Sequence, residues 1–277
     1  MRLDIVIPAH NEEHRIDATL TAYRSVCPDP ETRFVVALDD CSDRTAEIVA
    51  QHANADDRVS GHRFPKLGKG GVIMETFRRS DADLLAFVDA DGATPPAELL
   101  RLADAVTTDD SIDGAIATRW HPSAVLPKRR TLSRRAASAG FAFGVRRLFG
   151  LPFRDTQCGA KVVNRRLVER VVPLLSSRDF VFDVDLLVTA RRLGYRVVEV
   201  PTVWVDQPGS RINVGSDSKR MAASLLRLWL QHRLSPVTQS AAAYPDEPIT
   251  APAHNTQLDD APVPIQPTDT SEGAHVV

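Results

Sequence analysis

The chain has 277 residues, 43% of them hydrophobic, which is enough for one sizeable core in one domain or two. Its 34 basic residues nearly balance its 36 acidic residues, so the chain as a whole is not a general polycation for nucleic acid or membranes. Three scattered cysteines without a CxxC pair argue against a disulfide framework and a structural zinc site, and they favour a reducing cytoplasm.

The first half of the chain alternates strands and helices. In chain order the predicted elements are a strand at 3–7, a helix at 12–25, a strand at 34–38, a helix to 52 capped by Ser42 or Asp43, a strand at 57–62, a helix at 71–79, a strand at 84–88 and a helix at 97–106. Pro8 and charged residues follow the first strand at once, which favours a buried strand over a signal peptide. This alternation predicts right-handed crossovers and a doubly wound α/β sheet.

The second half is less regular. Its predicted elements are a strand at 114–118, a basic helix at 131–148, a loop at 154–159, a strand at 161–163, a helix at 184–193, a strand at 196–200 and an amphipathic helix at 217–233. From residue 235 onward Pro, Ala, Thr and acidic residues dominate without periodicity, which predicts a disordered tail. We therefore divide the chain into a regular first half at 1–112, a less regular second half of the same domain at 113–235, and a tail at 236–277.

Polar residues collect where three predicted strands end, at 10–12, 39–43 and 89–91. Ligands of open α/β sheets bind at this edge. Asp89 and Asp91 are one residue apart, so both carboxylates can turn toward one point and hold Mg²⁺ or Mn²⁺ together with the oxygens of a diphosphate. The alternative is an ordinary aspartate-rich turn with Gly92 in the left-handed region.

Two further segments carry polar groups to the same edge. Asp39 and Asp40 end the second strand, and one of their carboxylates can accept hydrogen bonds from the N–H group of a nucleobase or from ribose hydroxyls. Asp43 is better explained as a helix cap. The glycine-rich run at 67–71 permits close backbone approach and carries the ammonium of Lys69. It lacks the spacing of a phosphate-binding P-loop, which excludes an ATPase, and a flexible surface turn explains it equally well.

Together these segments resemble the nucleotide-binding half of family 2 glycosyltransferases with the GT-A fold. The resembling segments of the first half are Ile7-Pro8-Ala9-His10-Asn11-Glu12-Glu13, Asp39-Asp40-Cys41-Ser42-Asp43-Arg44-Thr45, Lys66-Leu67-Gly68-Lys69-Gly70-Gly71 and Asp89-Ala90-Asp91-Gly92-Ala93-Thr94. Those of the second half resemble the dolichyl-phosphate β-glucosyltransferase branch of polyprenyl-phosphate glycosyltransferases, and they are Asp155-Thr156-Gln157-Cys158-Gly159-Ala160-Lys161, Phe182-Asp183-Val184-Asp185-Leu186-Leu187, Trp204 and Pro208-Gly209-Ser210-Arg211. The resemblance covers about residues 3–235 and implies a Rossmann-like, mixed but mostly parallel sheet flanked by helices.

The resemblance also implies a site for a nucleotide-sugar donor, with UDP-glucose favoured. Pro8, Ala9, Glu12 and Asp40 would line the nucleoside pocket, Lys69 would lie near the ribose or phosphates, and Asp91 with Asp89 would hold the metal. The complete predicted donor site is Pro8, Ala9, Asn11, Glu12, Asp39, Asp40, Lys69, Gly70, Asp89 and Ala90.

A basic stretch supports an anionic acceptor independently of the resemblance. Nine cations and no acidic residue lie between Gly114 and Arg154, and they are Arg119, Lys128, Arg129, Arg130, Arg134, Arg135, Arg146, Arg147 and Arg154. Cations beside the aromatic residues at 141–149 are typical of a segment in an anionic membrane interface, although a solvated helix face explains any single arginine better. The predicted acceptor site is Arg119, Arg130, Arg134, Gln157, Cys158, Gly159 and Arg211.

Partners other than a membrane lipid receive less support. No nucleic-acid-binding motif accompanies the basic stretch, so we predict no nucleic acid. No apolar run approaches the roughly 20 residues of a spanning helix, so membrane contact is predicted to be peripheral, at the inner face of the plasma membrane. The last helix, with Met221, Leu225, Leu228 and Trp229, is either a second interface contact or plain core.

The predicted reaction is an inverting, metal-dependent transfer of a sugar, with glucose favoured, to a polyprenyl phosphate. An acceptor phosphate is already an anion and needs little base catalysis, whereas a hydroxyl acceptor needs a general base, for which Asp183 and Asp185 are the candidates. Asp183 as a helix N-cap is an equal alternative. A soluble glycosyltransferase acting on a hydroxyl and a non-catalytic nucleotide-binding scaffold are the two other hypotheses.

Overall fold

The computed structural model describes residues 1–126, 132–205 and 214–234, and for 132–137 and 214–219 it describes the backbone alone. Within these ranges seven strands form one sheet with the order β3-β2-β1-β4-β6-β5-β7. The strands are β1 (Leu3–Ala9), β2 (Thr32–Asp39), β3 (Val59–Phe64), β4 (Leu84–Val88), β5 (Gly114–Thr118), β6 (Ala160–Asn164) and β7 (Val197–Pro201). Strand β6 runs antiparallel to β4 and β5, and the other neighbouring strands are parallel. The mixed, mostly parallel sheet is therefore confirmed.

Helices cover both faces of the sheet, as its buried strands require. They are α1 (Ile16–Val26), α2 (Thr45–Ala55), α3 (Lys69–Arg79), α4 (Pro96–Thr107), α5 (Leu132–Phe149), α6 (Arg165–Val171), α7 (Phe182–Arg192) and α8 (Val214–Leu234), with a 3-10 turn at Val172–Leu174. Alternate residues of β1 point to opposite faces. Ile5 and Ile7 enter a cluster with residues of α1, α2 and α4, whereas Val6 enters a cluster with residues of α3, α6 and α7.

The predicted elements differ from the observed ones mainly at their ends. Helix α1 begins at Ile16 rather than at residue 12, because the backbone N–H groups of Arg15 and Ile16 both donate to the carbonyl of Glu12 and form a turn there. Helix α6 was not predicted, and the side chain of Asn164 caps it by accepting the N–H of Leu167. Asp183 is not the N-cap of α7, because that helix begins at Phe182 after Val181.

Part of the predicted organisation falls outside the described residues. The tail at 236–277 does so entirely, and the division of the chain at residue 112 stays a prediction. Among the helices that the structure describes, none is long and apolar enough to cross a membrane.

Candidate functional site

Two carboxylates stand where β4 ends, beside the first residues of β6. Val88 lies opposite Ala160 in the antiparallel register, so Asp89 faces Gly159. A Cβ atom at Gly159 would lie 2.0 Å from Oδ2 of Asp89, a distance that no real side chain could keep. Glycine at position 159 therefore lets the backbone before β6 approach the carboxylate closely.

Asp91 is held in the turn that follows. Its Oδ1 accepts the N–H of Ala93 at 3.0 Å, and Thr19 and Tyr23 of α1 donate to the carbonyls of Ala90 and Thr94. Burial, and then the nearby charge of Asp89, raise the pKa of Asp91 above its ordinary value. A cation bound between these two neighbouring carboxylates would reduce the repulsion between their negative charges.

Two lysines and a third carboxylate complete this cluster. Nζ of Lys69 lies 2.7 Å from Oδ1 of Asp89 and 3.7 Å from Oδ2 of Asp183. Nζ of Lys161 lies 2.5 Å from Oδ1 of Asp183 and donates to the carbonyl of Cys158 at 2.8 Å. Burial alone would lower the pKa of Lys69, but Asp89 and Asp183 hold it above its ordinary value. Asp183, a predicted catalytic residue, is thus linked to Asp89 through Lys69.

Lys161 is a site residue that the sequence analysis missed. Its side chain is 0% exposed, although lysine is almost never fully buried unless it is paired. It is paired with Phe87 in the β4–β6 register, and its ammonium lies over the ring of Phe87, 5.2 Å from the centroid. Two signals were available: Lys161 ends one of the segments that carry the resemblance, and it is a lysine inside a strand whose neighbours are apolar or small.

The loops after β1 and β2 are linked by polar side chains from the predicted donor site. Asn11 and Asp40 are the described non-glycine residues with positive φ, at 58° and 52°. Oδ1 of Asn11 accepts the N–H of Ser42 at 2.8 Å, and Glu12 donates its N–H to the hydroxyl of Thr45 at 2.7 Å. These bonds hold the ends of the two strands side by side.

Asp39 orients the glycine-rich run rather than standing free. Its carboxylate accepts the N–H groups of Leu67 and Gly68, at 2.6 Å and 3.1 Å, just before α3 begins. Gly70 lies against Phe182, since a Cβ there would be 2.4 Å from the Phe182 Cβ. This contact sets α3 against α7 and brings Lys69 toward Asp183.

The remaining donor-site predictions fall into three environments. Ala9 and Ala90 are buried, Pro8 is half-buried, and Asp40 is exposed at the sheet edge. Glu12 forms a salt bridge with Arg15 at 2.5 Å, and Arg15 in turn acts on Asp91 by its charge. Their contact with a nucleotide stays a prediction.

The predicted acceptor loop is anchored by a buried ion pair. Nε and Nη2 of Arg119 donate to the two oxygens of Asp155 at 2.7 Å and 2.9 Å, and the guanidinium lies over Trp204, 4.8 Å from the ring. Glu199 accepts the N–H groups of Arg154 and Asp155. The two guanidinium N–H groups of Arg119 that could bind an acceptor phosphate together therefore already bind Asp155, and Arg119 holds the loop at 154–159 in place.

Three other residues of this loop are buried or half-buried. Burial raises the pKa of Cys158 to about 12, so its thiol stays protonated and is no nucleophile near neutral pH. Oγ1 of Thr156 and Nε2 of Gln157 are buried atoms without a hydrogen-bond partner among the residues that the structure describes. Such atoms are available to a bound polar group. Arg130 and Arg211, and the side chain of Arg134, lie outside the described residues.

Asp185 has a different environment from Asp183. Its Oδ2 accepts the N–H groups of Ser176 and Ser177, at 2.8 Å and 2.9 Å, and its Oδ1 faces Nε2 of His232 on α8 at 2.8 Å. It is 1% exposed, and its contact with His232 joins α7 to α8. Asp185 thus lies at the junction of α7 and α8, whereas Asp183 lies in the cluster with Asp89 and Lys69.

The carboxylates of Asp89 and Asp91 suit a divalent cation that also binds oxygen atoms of a substrate. Within the described ranges no group of three or more His, Cys, Asp or Glu residues is placed to hold a metal ion. The protein thus offers the carboxylates of Asp89 and Asp91, and oxygens from a ligand must supply the rest. Mg²⁺ and Mn²⁺ are bound in this way, by one or two carboxylates plus phosphate oxygens.

Comparisons with known proteins agree with this geometry. The model of the family described as Glycosyl transferase family 2 matches residues 4–172. Glycosyltransferase AglD of Haloferax volcanii is 31% identical over 244 residues, which are 85% of this chain but 38% of that protein, so the chain spans well under half of that relative. Dolichyl-phosphate beta-glucosyltransferase of Saccharomyces cerevisiae is 28% identical over 260 residues, covering 84% of this chain and 75% of that protein.

Solved structures show the same fold. Glucosyl-3-phosphoglycerate synthase from Mycobacterium tuberculosis, in complex with Mn²⁺, UDP-glucose and phosphoglyceric acid, superposes with a TM-score of 0.64. The two sequences are 16% identical, and the match covers 82% of this chain and 79% of that one. At this identity the likeness concerns the fold alone.

Proposed function

The chain belongs to glycosyl transferase family 2, and on this premise we propose that it transfers a sugar from a nucleotide-sugar to the phosphate of a polyprenyl phosphate. The favoured donor is UDP-glucose, the transfer inverts the anomeric centre, and Mg²⁺ or Mn²⁺ assists it. The proposed sugar and acceptor are those in the name of the yeast relative, a dolichyl-phosphate beta-glucosyltransferase.

The observation that carries the proposal is the cluster of Asp89, Asp91 and Lys69 where β4 ends, beside the linked loops after β1 and β2. A divalent ion bound there would neutralise the charge that collects on the departing nucleoside diphosphate. Asp89 and Asp91 would hold that ion. Lys69, whose ammonium already lies 2.7 Å from Asp89, would add a second positive charge beside the diphosphate.

The surroundings of Asp183 favour a phosphate over a hydroxyl acceptor. Each of its two oxygens faces an ammonium group, Lys161 on one side and Lys69 on the other. A carboxylate held in this way is poorly arranged to remove a proton from an acceptor hydroxyl. A phosphate acceptor needs no such base.

A surface of α5 and α8 is consistent with an acceptor embedded in a membrane. Phe143 of α5 is 71% exposed, and Leu226, Leu230 and Leu234 form an exposed stripe at four-residue spacing on α8. Arg146, Arg147 and Arg227 are exposed cations on the same two helices. Leu225 and Leu228, by contrast, belong to the core, so the stripe named from the sequence is the inner face of α8. We propose peripheral contact with an anionic membrane from the cytoplasmic side.

The test uses the purified full chain with membranes as the source of acceptor. Labelled UDP-glucose, GDP-mannose and UDP-N-acetylglucosamine are each incubated with the protein and Mg²⁺ or Mn²⁺. A chloroform-soluble, mild-acid-labile product that depends on the metal and disappears in Asp91→Ala is expected. A water-soluble glycoside instead would favour a hydroxyl acceptor. If no donor yields a product or is hydrolysed, the result would favour the hypothesis of a non-catalytic scaffold.

A further inference from the structure

We propose that Lys69 is an internal cation that occupies Asp89 before a divalent ion arrives and then transfers to Asp183, which Lys161 holds ready to receive it. The inference rests on the cation site proposed above and concerns the residues around it. Asp183 is thereby a positioning residue rather than a base, and so is Lys161.

The position of Lys69 between two carboxylates carries the first step. Its Nζ atom is 2.7 Å from Asp89 and 3.7 Å from Asp183, so one partner is bonded and the other is within ion-pair distance. A divalent ion on Asp89 would be a like charge next to this ammonium, and the repulsion between them favours the more distant partner. The side chain needs only a small torsional change to reach it.

The second step depends on how Asp183 is fixed. Its Oδ1 is bonded to Lys161, which is 0% exposed and also donates to the carbonyl of Cys158. These bonds leave Oδ2 facing Lys69. Lys161 thereby fixes the orientation of the Asp183 carboxylate, so that the oxygen that would receive Lys69 already points toward it.

Phe87 lies under both ammonium groups. Its ring centroid is 5.6 Å from Nζ of Lys69 and 5.2 Å from Nζ of Lys161. A ring face attracts a cation without binding it at one point. The ring therefore offers Lys69 a surface along which it can pass from one carboxylate to the other.

Charge gives the reason for such a device. Lys69 and Lys161 balance Asp89 and Asp183, and Asp91 is the third carboxylate of the cluster, on which Arg15 acts by its charge. These two ammonium groups and three carboxylates carry one net negative charge before the donor binds, and a divalent ion can enter without expelling a lysine from the cluster. The lysine that is displaced stays in the cluster, paired with Asp183.

The experiment measures Mn²⁺ binding to the full chain without nucleotide, by titration calorimetry or by the electron paramagnetic resonance of free Mn²⁺. Lys69→Met removes the competing ammonium and should bind Mn²⁺ at least about tenfold more tightly. Asp183→Asn removes the alternative partner of Lys69 and should bind it more weakly. Lys66→Met is the matched control, because it removes one lysine charge from the same loop, where Nζ contacts His10, and its Mn²⁺ affinity should stay within about twofold of the native value.

Equal or weaker Mn²⁺ binding by Lys69→Met would overturn the proposal, and so would Asp183→Asn that binds as the native protein does. Failure of the underlying cation site looks different: native protein and Asp91→Ala would then bind Mn²⁺ alike. Absence of binding by both the native protein and Lys69→Met would overturn the site and the exchange together. Thermal unfolding of each variant shows that it is folded.

Discussion

Gly159 and Asp89 touch across the start of the β4–β6 pair, with no room for a side chain between them. Gly159 belongs to the loop predicted to bind the acceptor, and Asp89 to the pair of carboxylates predicted to hold the metal. The contact therefore joins the two halves of the proposed site directly. A change on the acceptor side should be felt on the donor side.

We expect Gly159→Ala to weaken Mn²⁺ binding and transfer, because the new methyl group would meet the Asp89 carboxylate at 2.0 Å and displace it. A loss of about tenfold or more in transfer is expected from an ångström-scale misplacement. Gly140→Ala in α5 is the control, since nothing lies within 4 Å of its added Cβ. Equal rates for both variants would show that Asp89 tolerates the displacement.

Asp91→Ala should abolish metal-dependent transfer while the circular dichroism spectrum and the melting temperature stay close to native. Removal of the metal by a chelator should have the same effect on the native enzyme. Asp110→Ala, at an exposed position, is the matched control. Transfer by folded Asp91→Ala would contradict the assignment of Asp91 to the cation.

Mn²⁺ binding should fail at a higher pH than for an ordinary aspartate site. Burial and the charge of Asp89 raise the pKa of Asp91, and the protonated acid does not bind the ion. Affinity should therefore fall with decreasing pH already above the usual aspartate value of about 3.9. Calorimetric titration over this pH range checks the prediction, and an affinity that stays constant down to that value would contradict it.

Asp183→Asn should destabilise the fold, because it leaves the ammonium of fully buried Lys161 without its carboxylate. Breaking a buried pair from one side costs about 3–5 kcal/mol. Urea unfolding measures the loss, and the double variant Lys161→Met/Asp183→Asn should recover part of it. A double variant less stable than both single ones would argue that the pair is not coupled.

The contact between Asp185 and His232 predicts an acid-sensitive junction of α7 and α8. Arg192 donates to Nδ1 of His232, so the neutral ring donates from Nε2 to Asp185. Burial alone would raise the pKa of Asp185, but His232 and the N–H groups of Ser177 and Ser176 lower it below its ordinary value.

Because the folded-state pKa of Asp185 is lowered, its stabilisation is complete above the unfolded-state value of about 3.9 and is lost as pH falls toward the folded-state value. Asp185→Asn should thus reduce the free energy of unfolding by about 1–3 kcal/mol at pH 7 and by less below about pH 4. Urea titrations of both proteins at several pH values test this. A difference that grows toward acid would reverse the sign and refute it.

Membrane contact predicts a role for the two consecutive arginines of α5. Their side chains are exposed and have no hydrogen bond or ion pair with any part of the chain that is described, which suits contact with anionic headgroups. Arg146→Gln/Arg147→Gln should lower the affinity for phosphatidylserine vesicles, measured by co-sedimentation at low salt, by about thirtyfold, because each charge contributes about 1 kcal/mol. Arg78→Gln/Arg79→Gln on α3, whose arginines pair with Glu75, should have little effect.

Local patterns in the sequence were sufficient for most of the framework. The apolar run before Asp89 predicted β4 with its observed bounds, and the same reasoning predicted β5 at 114–118. Helix α6 was missed because a seven-residue helix has too few turns to show periodicity. Strand ends also placed the aspartates at one edge of the sheet, since parallel strands end together there.

What the sequence by itself determined is therefore the order of all strands and of the longer helices, the family, and the grouping of Asp89 and Asp91 at a strand end, because these depend on neighbours a few residues apart. Only the tertiary structure decided that Lys69 and Lys161 both lie beside Asp183, that Arg119 forms an ion pair with Asp155, and that Asp185 contacts His232. Those partners are separated by 22 to 114 residues along the chain. Their pairing depends on strand register and helix packing, which bring charges together in a low-dielectric interior where each must find its counter-ion.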